Sequence, residues 1–156
     1  MSRGCTALSS TSASADRRRE KSNQQAQKNR CVGEAANAIG CAGGQIAKSL
    51  LFKTRNTQRP VLVIASGPNR VNEAVLGEHL GEPIDKADAD FVRMKTGFSI
   101  GGVPPLAHVE AIHTILDEDL RQHQEIWAAA GTPTAVFRLT PAELERMTGG
   151  RWVRVR

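Results

Sequence analysis

The pattern of apolar and polar positions divides the chain into short elements from about residue 32 onward. The apolar run at 46–52 has the length of a strand, and the β-branched run at 60–65 predicts a second strand that is buried on both faces. The polar segment 54–59 between them has the length of a hairpin connection. One charged residue, Lys48, lies inside the first strand. The pattern therefore predicts a strand pair that carries a lysine.

Helices are predicted where apolar residues recur at helical spacing and a glycine follows. The clearest begins at Thr140, a capping residue followed by Pro141 at the first helical position and Glu143 at the third. The predicted helices cover residues 32–39, 71–80, 88–95 and 140 to the glycines at 149 and 150.

Further strands are predicted at 111–116, 125–128 and 135–139, where apolar and polar residues alternate, and at 152–155 near the end of the chain. Strands and helices follow one another without the regular alternation of a parallel sheet, and no internal repeat is present. We therefore predict an α/β protein of the α+β type, with a mixed, partly curled β-sheet surrounded by short helices.

Charge is distributed unevenly along the 156 residues. The formal net charge is +5, and residues 1–30 contain the whole excess, because basic and acidic groups are equal in number over the rest. This segment also has too few large aliphatic side chains to offset its ordering entropy by burial. We expect a basic, disordered segment at 1–30 and one folded domain at 31–156. The segment is either a solvated tail or misassigned start, or an arm that binds phosphates.

Several protein classes are disfavoured because their motifs are missing. The sequence contains no dinucleotide fingerprint, phosphate loop, Gly-x-Ser-x-Gly elbow or helical His-x-x-x-His pair. Cys5, Cys31 and Cys41 are too far apart for a zinc knuckle or a redox pair, so we expect free thiols in a reducing compartment. No apolar stretch has the length of a secretory signal or a membrane span. We therefore expect a cytoplasmic protein with no metal, no cofactor and no membrane partner.

Two features are candidates for chemistry. Lys48 either points from its strand into solvent or lies at a pocket, because a buried ammonium group is costly without a partner. The loop 101–105, Gly-Gly-Val-Pro-Pro, combines backbone freedom with a rigid exit and can present N–H groups to a carbonyl oxygen. The same loop is equally consistent with a rigid structural turn. The residues alone leave both alternatives open at both places.

A set of segments, taken together in their order and spacing, carries a resemblance to a known family. The segments are Gln45–Leu50, Val61–Gly67, Asn69–Val71, Lys86–Val92, Thr96–Pro105, Trp127–Pro133 and Leu139–Leu144. They resemble the YbaK/EbsC-type aminoacyl-tRNA deacylases, which are relatives of the editing insertion of bacterial prolyl-tRNA synthetase. The resemblance extends from about residue 32 to the end of the chain.

The resemblance implies an editing domain that cleaves the ester between a wrong amino acid and the 3′ end of tRNA. It implies catalytic roles for Lys48 and Gly101, with an ammonium group and backbone N–H groups stabilising the charge that develops on oxygen. Water is the implied nucleophile, so neither a triad nor a metal is required. Aminoacyl-tRNA is the implied partner, and an aminoacyl-tRNA synthetase is a further candidate. The implied substrate-binding residues are Ser49, Gly102, Val103, Pro104, His108 and Gly131.

The sequence also departs from the family pattern. Members usually have an amphipathic helix and a strand before the segment that matches Val32, and residues 1–30 resemble neither. The segment 106–108 reads Leu-Ala-His where members have Gly-His, and Thr134 stands near a position where some members have histidine. The abnormal N-terminal segment favours an alternative, a non-catalytic RNA-binding or synthetase-associated module with the same fold.

A nonspecific nucleic-acid binder is a third hypothesis. Only 4% of the residues are aromatic, so the chain has little material for a base-stacking surface. Within the leading hypothesis, the amino acid that is removed stays open between alanine, serine, threonine and cysteine. Pocket volume discriminates between such side chains by only about 1–3 kcal/mol per methylene.

Overall fold

The computed structural model describes residues 33–132 and 135–156, in which a seven-stranded sheet carries short helices. The strands are β1 (Ile46–Thr54), β2 (Pro60–Ser66), β3 (Ile84–Lys86), β4 (His113–Asp117), β5 (Ile126–Ala129), β6 (Val136–Leu139) and β7 (Arg151–Val153). Their order is β6-β5-β1-β2-β4-β7, and β3 pairs with β1 outside this path. β1 pairs antiparallel with β2 and parallel with β5, so the sheet is mixed, as predicted.

Side chains cap the first turns of three helices, two of them at the capping residues that the sequence indicates, whereas the helix predicted from residue 71 begins at Glu73. The side chains of Asn72, Asp88 and Thr140 accept hydrogen bonds from N–H groups of the first helical turn. Gly81 and Gly97 end two of the helices in the left-handed conformation. The helices are α1 (33–39), α2 (Glu73–Leu80), α3 (Ala89–Thr96) and α4 (Pro141–Thr148), and 3-10 helices cover Gly43–Gln45 and Glu118–Gln122.

The two faces of the sheet carry separate cores, because successive strand residues point to opposite faces. We name them the α3 face and the α2 face after a helix that packs on each. Ala47 and Leu51 of β1 pack on the α3 face with Val92, whereas Phe52 packs on the α2 face with Leu76. The pairing of β1 with β2 is continuous, so this alternation holds along β1.

Three short elements, β3 and the 3-10 helices Gly43–Gln45 and Glu118–Gln122, were not predicted, since each is too short to show periodicity. The final strand lies earlier than the predicted 152–155. It ends at Val153 because Val155 is fully buried on the α2 face, where its carbonyl accepts the N–H of Asn72 at 2.6 Å.

The carboxylate of Glu82 supports the turn between β1 and β2. Its oxygens accept hydrogen bonds from the Thr57 hydroxyl at 2.7 Å and from the N–H groups of Asn56 and Thr57, each at 3.2 Å. The bond from the Thr57 hydroxyl is the main cause that holds the pKa of Glu82 below its usual range. The charged form of Glu82 therefore stabilises the turn.

We expect the stabilisation by Glu82 to depend on pH. A carboxyl group whose pKa is lowered by folding stabilises the fold above its unfolded pKa, and this contribution is lost as the pH falls through the lowered value. Glu82→Gln should lower the thermal midpoint at neutral pH and lower it by less at about pH 3, below the usual pKa of glutamate. Glu78→Gln, at an exposed position of α2, is the matched control. Equal losses at both pH values would contradict this prediction.

Candidate functional site

Lys48 lies in β1, and strand alternation places its side chain on the α2 face, where it is half-buried. Its Nζ donates hydrogen bonds to the carbonyl oxygens of Gly67 at 2.9 Å and Asn69 at 2.6 Å. The ammonium group thus lies against the turn that follows β2. Backbone carbonyls hold it in a defined position.

β1 has an open edge beside Lys48. β5 pairs with β1 only at Ile46 and Ala47, and β3 pairs with it only from Phe52 to Thr54. Between these two pairings, no strand of the part of the chain that the structure describes pairs with this side of β1. Backbone polar groups of β1 are therefore available at this edge to a ligand or a loop.

Ser49 lies on this open edge. The carbonyl of Leu51 accepts the N–H of Ala87 at 3.2 Å, so the backbone polar groups of Leu51 point away from β2. Backbone polar groups of alternate strand residues point the same way, so those of Ser49 also point away from β2. Among the described residues the buried Ser49 hydroxyl has no hydrogen-bond partner. Buried hydroxyl groups are nearly always hydrogen-bonded, so this one is a candidate ligand-binding group.

The loop 101–105 packs on the α3 face, opposite to the Lys48 side chain. Val103 is 3% exposed and belongs to the α3-face core. The carbonyl of Pro104 is hydrogen-bonded to Nε2 of His108 at 2.8 Å, which fixes the exit of the loop. The loop is therefore part of the packed structure as well as a candidate wall of the site.

Glycines bring this loop against the segment that follows β5. A methyl group on Gly102 would lie 2.9 Å from the Cα of Thr132, and one on Gly131 would lie 3.3 Å from the ring of Phe98. Gly101 and Gly131 have positive φ angles of 90° and 103°, which other residues rarely adopt. The close approach at Gly102 is thus to protein backbone. A side chain added at Gly102 would meet this backbone, and not a ligand-sized space. The sequence interpretation of the loop does not account for this contact.

The structure places the predicted site residues in two groups. Lys48 contacts the turn 66–69 on the α2 face. The loop 101–105 and Gly131 form the second group on the α3 face, near the point where β5 leaves β1. Ser49 follows Lys48 in β1, and strand alternation places its side chain on the α3 face, with the second group. A substrate that contacts both groups would lie across this edge.

Sequence reasoning assigned no role to Asn69 or Asp117, which are joined by a hydrogen bond of 2.8 Å from Asn69 Nδ2 to Asp117 Oδ2. The available signals were the Ser-Gly-Pro-Asn turn after β2 and an aspartate at the end of an apolar strand. The two residues are 48 positions apart, so a single sequence does not show that they meet.

Other chemistry is limited in the described ranges 33–132 and 135–156. No helix there is long and apolar enough to cross a membrane, and no three His, Cys, Asp or Glu residues are grouped so as to hold a metal ion. Cys41 has a free thiol whose pKa is raised by burial. Cys5, Cys31, the basic segment 1–30 and Thr134 lie outside the described residues.

Comparisons with known proteins give one family and several similar chains. The family model of the aminoacyl-tRNA editing domain matches residues 28–147. The uncharacterised protein YwhH of Bacillus subtilis (strain 168) is 30% identical over 125 residues, which are 80% of this chain and 79% of YwhH. A crystal structure of a proposed trans-editing enzyme for prolyl tRNA synthetase is 42% identical with a TM-score of 0.77, over 80% of this chain and 78% of that one. The hypothetical protein APE2540 is 31% identical with a TM-score of 0.74, over 80% of this chain and 82% of that one.

The fold and these matches define an editing domain. The chain belongs to the aminoacyl-tRNA editing domain family. This result confirms the family that the sequence segments indicate.

Proposed function

We propose that the protein is a trans-editing hydrolase that cleaves the ester bond of mischarged aminoacyl-tRNA. The observation that carries the proposal is the open edge of β1, which has the unbonded Ser49 hydroxyl and the loop 101–105 on its α3 face and Lys48 on its α2 face. Such an edge combines a positive charge, a hydroxyl group and backbone N–H groups, which suit an ester and its developing oxyanion. Membership of the editing family supports aminoacyl-tRNA as the substrate.

In the proposed reaction, water adds to the ester carbonyl, and negative charge develops on the carbonyl oxygen. The ammonium group of Lys48 and the N–H of Gly101 stabilise this charge, which requires the ester to bind across the edge of β1 and the two groups, on opposite faces of the sheet, to approach it when substrate binds. The tetrahedral intermediate then expels the ribose oxygen, which takes the proton that the attacking water loses, so that free amino acid and tRNA leave. The terminal ribose hydroxyl positions the attacking water. The carbonyls of Gly67 and Asn69 hold the ammonium group in place.

We assign the amino-acid side chain to the α3 side of the open edge. The walls there are rigid, because Val103 and Pro104 are buried and two loops meet at the backbone of Thr132. A rigid wall cannot move to admit a larger side chain, so it selects side chains by their volume. The proposed substrate-binding residues are Ser49, Gly102, Val103, Pro104, His108 and Gly131.

Aminoacyl-tRNA is the proposed partner, and the cytoplasm is the proposed location. An aminoacyl-tRNA synthetase is a second proposed partner. The support for it is the 42% identity to a proposed trans-editing enzyme for prolyl tRNA synthetase.

The proposal is tested with a panel of tRNAs charged with alanine, serine, threonine, cysteine and, as a reference, proline. Release of amino acid is measured against spontaneous hydrolysis in buffer. We expect faster release from at least one of the four small-residue substrates. Binding of tRNA with no release from any of them would contradict hydrolysis and support the non-catalytic module.

Removal of residues 1–30 should leave the thermal midpoint nearly unchanged, because the segment is too polar to join a core. It should weaken tRNA binding chiefly at low salt, where phosphate contacts contribute most. Each lost phosphate contact should reduce the slope of the logarithm of the binding constant against the logarithm of the salt concentration by about one. A full-length variant with Arg17, Arg18 and Arg19 changed to glutamine separates charge from length. A drop of many degrees on truncation would show that the segment is part of the fold.

A further inference from the structure

Asp117 is a buried anion that holds the turn 66–69. Its side chain ends β4 and the residue is 1% exposed. Oδ2 accepts the backbone N–H of Ser66 at 3.0 Å and Nδ2 of Asn69 at 2.8 Å, and Oδ1 accepts the N–H of Asp119 at 3.0 Å. One carboxylate therefore fixes both ends of the turn.

The amide of Asn69 is bound from a second side. Its Nδ2 also donates to Oδ2 of Asp119 at 2.6 Å, and the same oxygen is paired with Nε of Arg156 at 2.9 Å. The backbone carbonyl of Asn69 is meanwhile an acceptor for Lys48 Nζ. The position of the ammonium group is thus linked through Asn69 to two carboxylates.

This anchoring exceeds what the turn itself needs. The turn is already closed by a backbone hydrogen bond from Asn69 N–H to the carbonyl of Ser66 at 2.9 Å. A buried carboxylate carries a large desolvation cost, which a tight turn without it would avoid. The arrangement is explained if the carbonyls of Gly67 and Asn69 must stay within a few tenths of an ångström of one place.

We propose that Asn69 and Asp117 are positioning residues for Lys48: they fix the two carbonyls that hold its ammonium group at the turn 66–69. This inference rests on the proposed function for its effect on rate, but its structural part stands apart from activity. It assigns a role in the reaction to residues that do not touch the substrate.

The rate effect is measured in Asn69→Ala by single-turnover hydrolysis of a mischarged tRNA over a range of protein concentrations. A misplacement of about 1 Å costs up to about 10²-fold in rate, so we expect the maximal rate to fall about 10- to 100-fold with an unchanged half-saturating concentration. Asn72→Ala is the matched control, because loss of this helix cap costs about 1 kcal/mol of stability without touching the turn carbonyls. Equal rates in the two variants would overturn the inference.

A second measurement does not depend on activity. Trace labelling with acetic anhydride, followed by peptide mass spectrometry, gives the reactivity of Lys48 relative to the exposed Lys86 in the same molecule. We expect a several-fold rise in Asn69→Ala, where the ammonium group is released, and no change in Asn72→Ala. If the alanine variant does not fold, the reactivity of Lys48 is measured in Asn69→Ser, because serine is also favoured in turns. Unchanged reactivity in a folded Asn69 variant would overturn the inference, whereas inactive wild-type protein would contradict only the proposed function.

Discussion

Replacement of Lys48 by alanine is expected to slow deacylation by about 10²–10³-fold, the usual cost of removing one donor to a developing oxyanion. The fold should be kept, because the ammonium group bonds to a turn at the end of β2 and not within either core. Affinity for tRNA should change less than the rate, since most binding energy comes from phosphate contacts elsewhere. Single-turnover hydrolysis, with circular dichroism to verify folding, measures both effects.

Lys48→Arg should restore little activity, because a planar guanidinium on a longer stem does not place a compact charge at the same point. Lys53→Ala is the matched control. Lys53 lies in the same strand but on the α3 face, with its Nζ 5.6 Å from the centre of the Phe91 ring. Its removal should leave the rate unchanged. Equal losses at the two lysines would show a general effect of charge on tRNA binding.

Gly102→Ala should lower both the rate and the stability. The added methyl group would lie 2.9–3.1 Å from the backbone of Gly131 and Thr132, so the two loops must move apart. Overpacking of this kind costs about 1–3 kcal/mol. The loop on the α3 side would shift with it, and displacement of a site wall by about 1 Å can cost up to about 10²-fold in rate. We expect a loss of tenfold or more at a temperature where the variant stays folded.

The control for this change is Gly43→Ala, where nothing lies within 4 Å of the added methyl group. It should alter neither the thermal midpoint nor the single-turnover rate. A Gly102→Ala protein that loses stability but hydrolyses at the wild-type rate would show that the loop is only a structural turn.

Most elements of the fold were predictable because their signals are local. The continuous apolar run of β2 and the Thr140 cap with Pro141 and Glu143 each specify an element within about ten residues. β3 was not predictable, since three residues show no periodicity and its position depends on pairing with β1. The order of strands in the sheet was not predicted either, because the parallel pairing of β2 with β4 joins segments about fifty residues apart.

The site was predictable in its parts and not in its arrangement. Lys48 was singled out because a charge within an apolar strand requires an explanation. The sequence suggested that its ammonium group lies in solvent or at a pocket. In the structure the ammonium group donates hydrogen bonds to two backbone carbonyls. The open edge of β1 was not foreseen, because it depends on where β5 ends its pairing and where β3 begins.

The most direct test of the central claim compares wild-type protein and Lys48→Ala on one labelled, mischarged tRNA under single-turnover conditions. The central claim is that the open edge of β1, with Lys48 beside it, hydrolyses the aminoacyl ester. We predict that wild-type protein releases the amino acid well above the spontaneous rate, and that folded Lys48→Ala protein falls close to that rate. Hydrolysis by folded Lys48→Ala protein at the wild-type rate would contradict the claim.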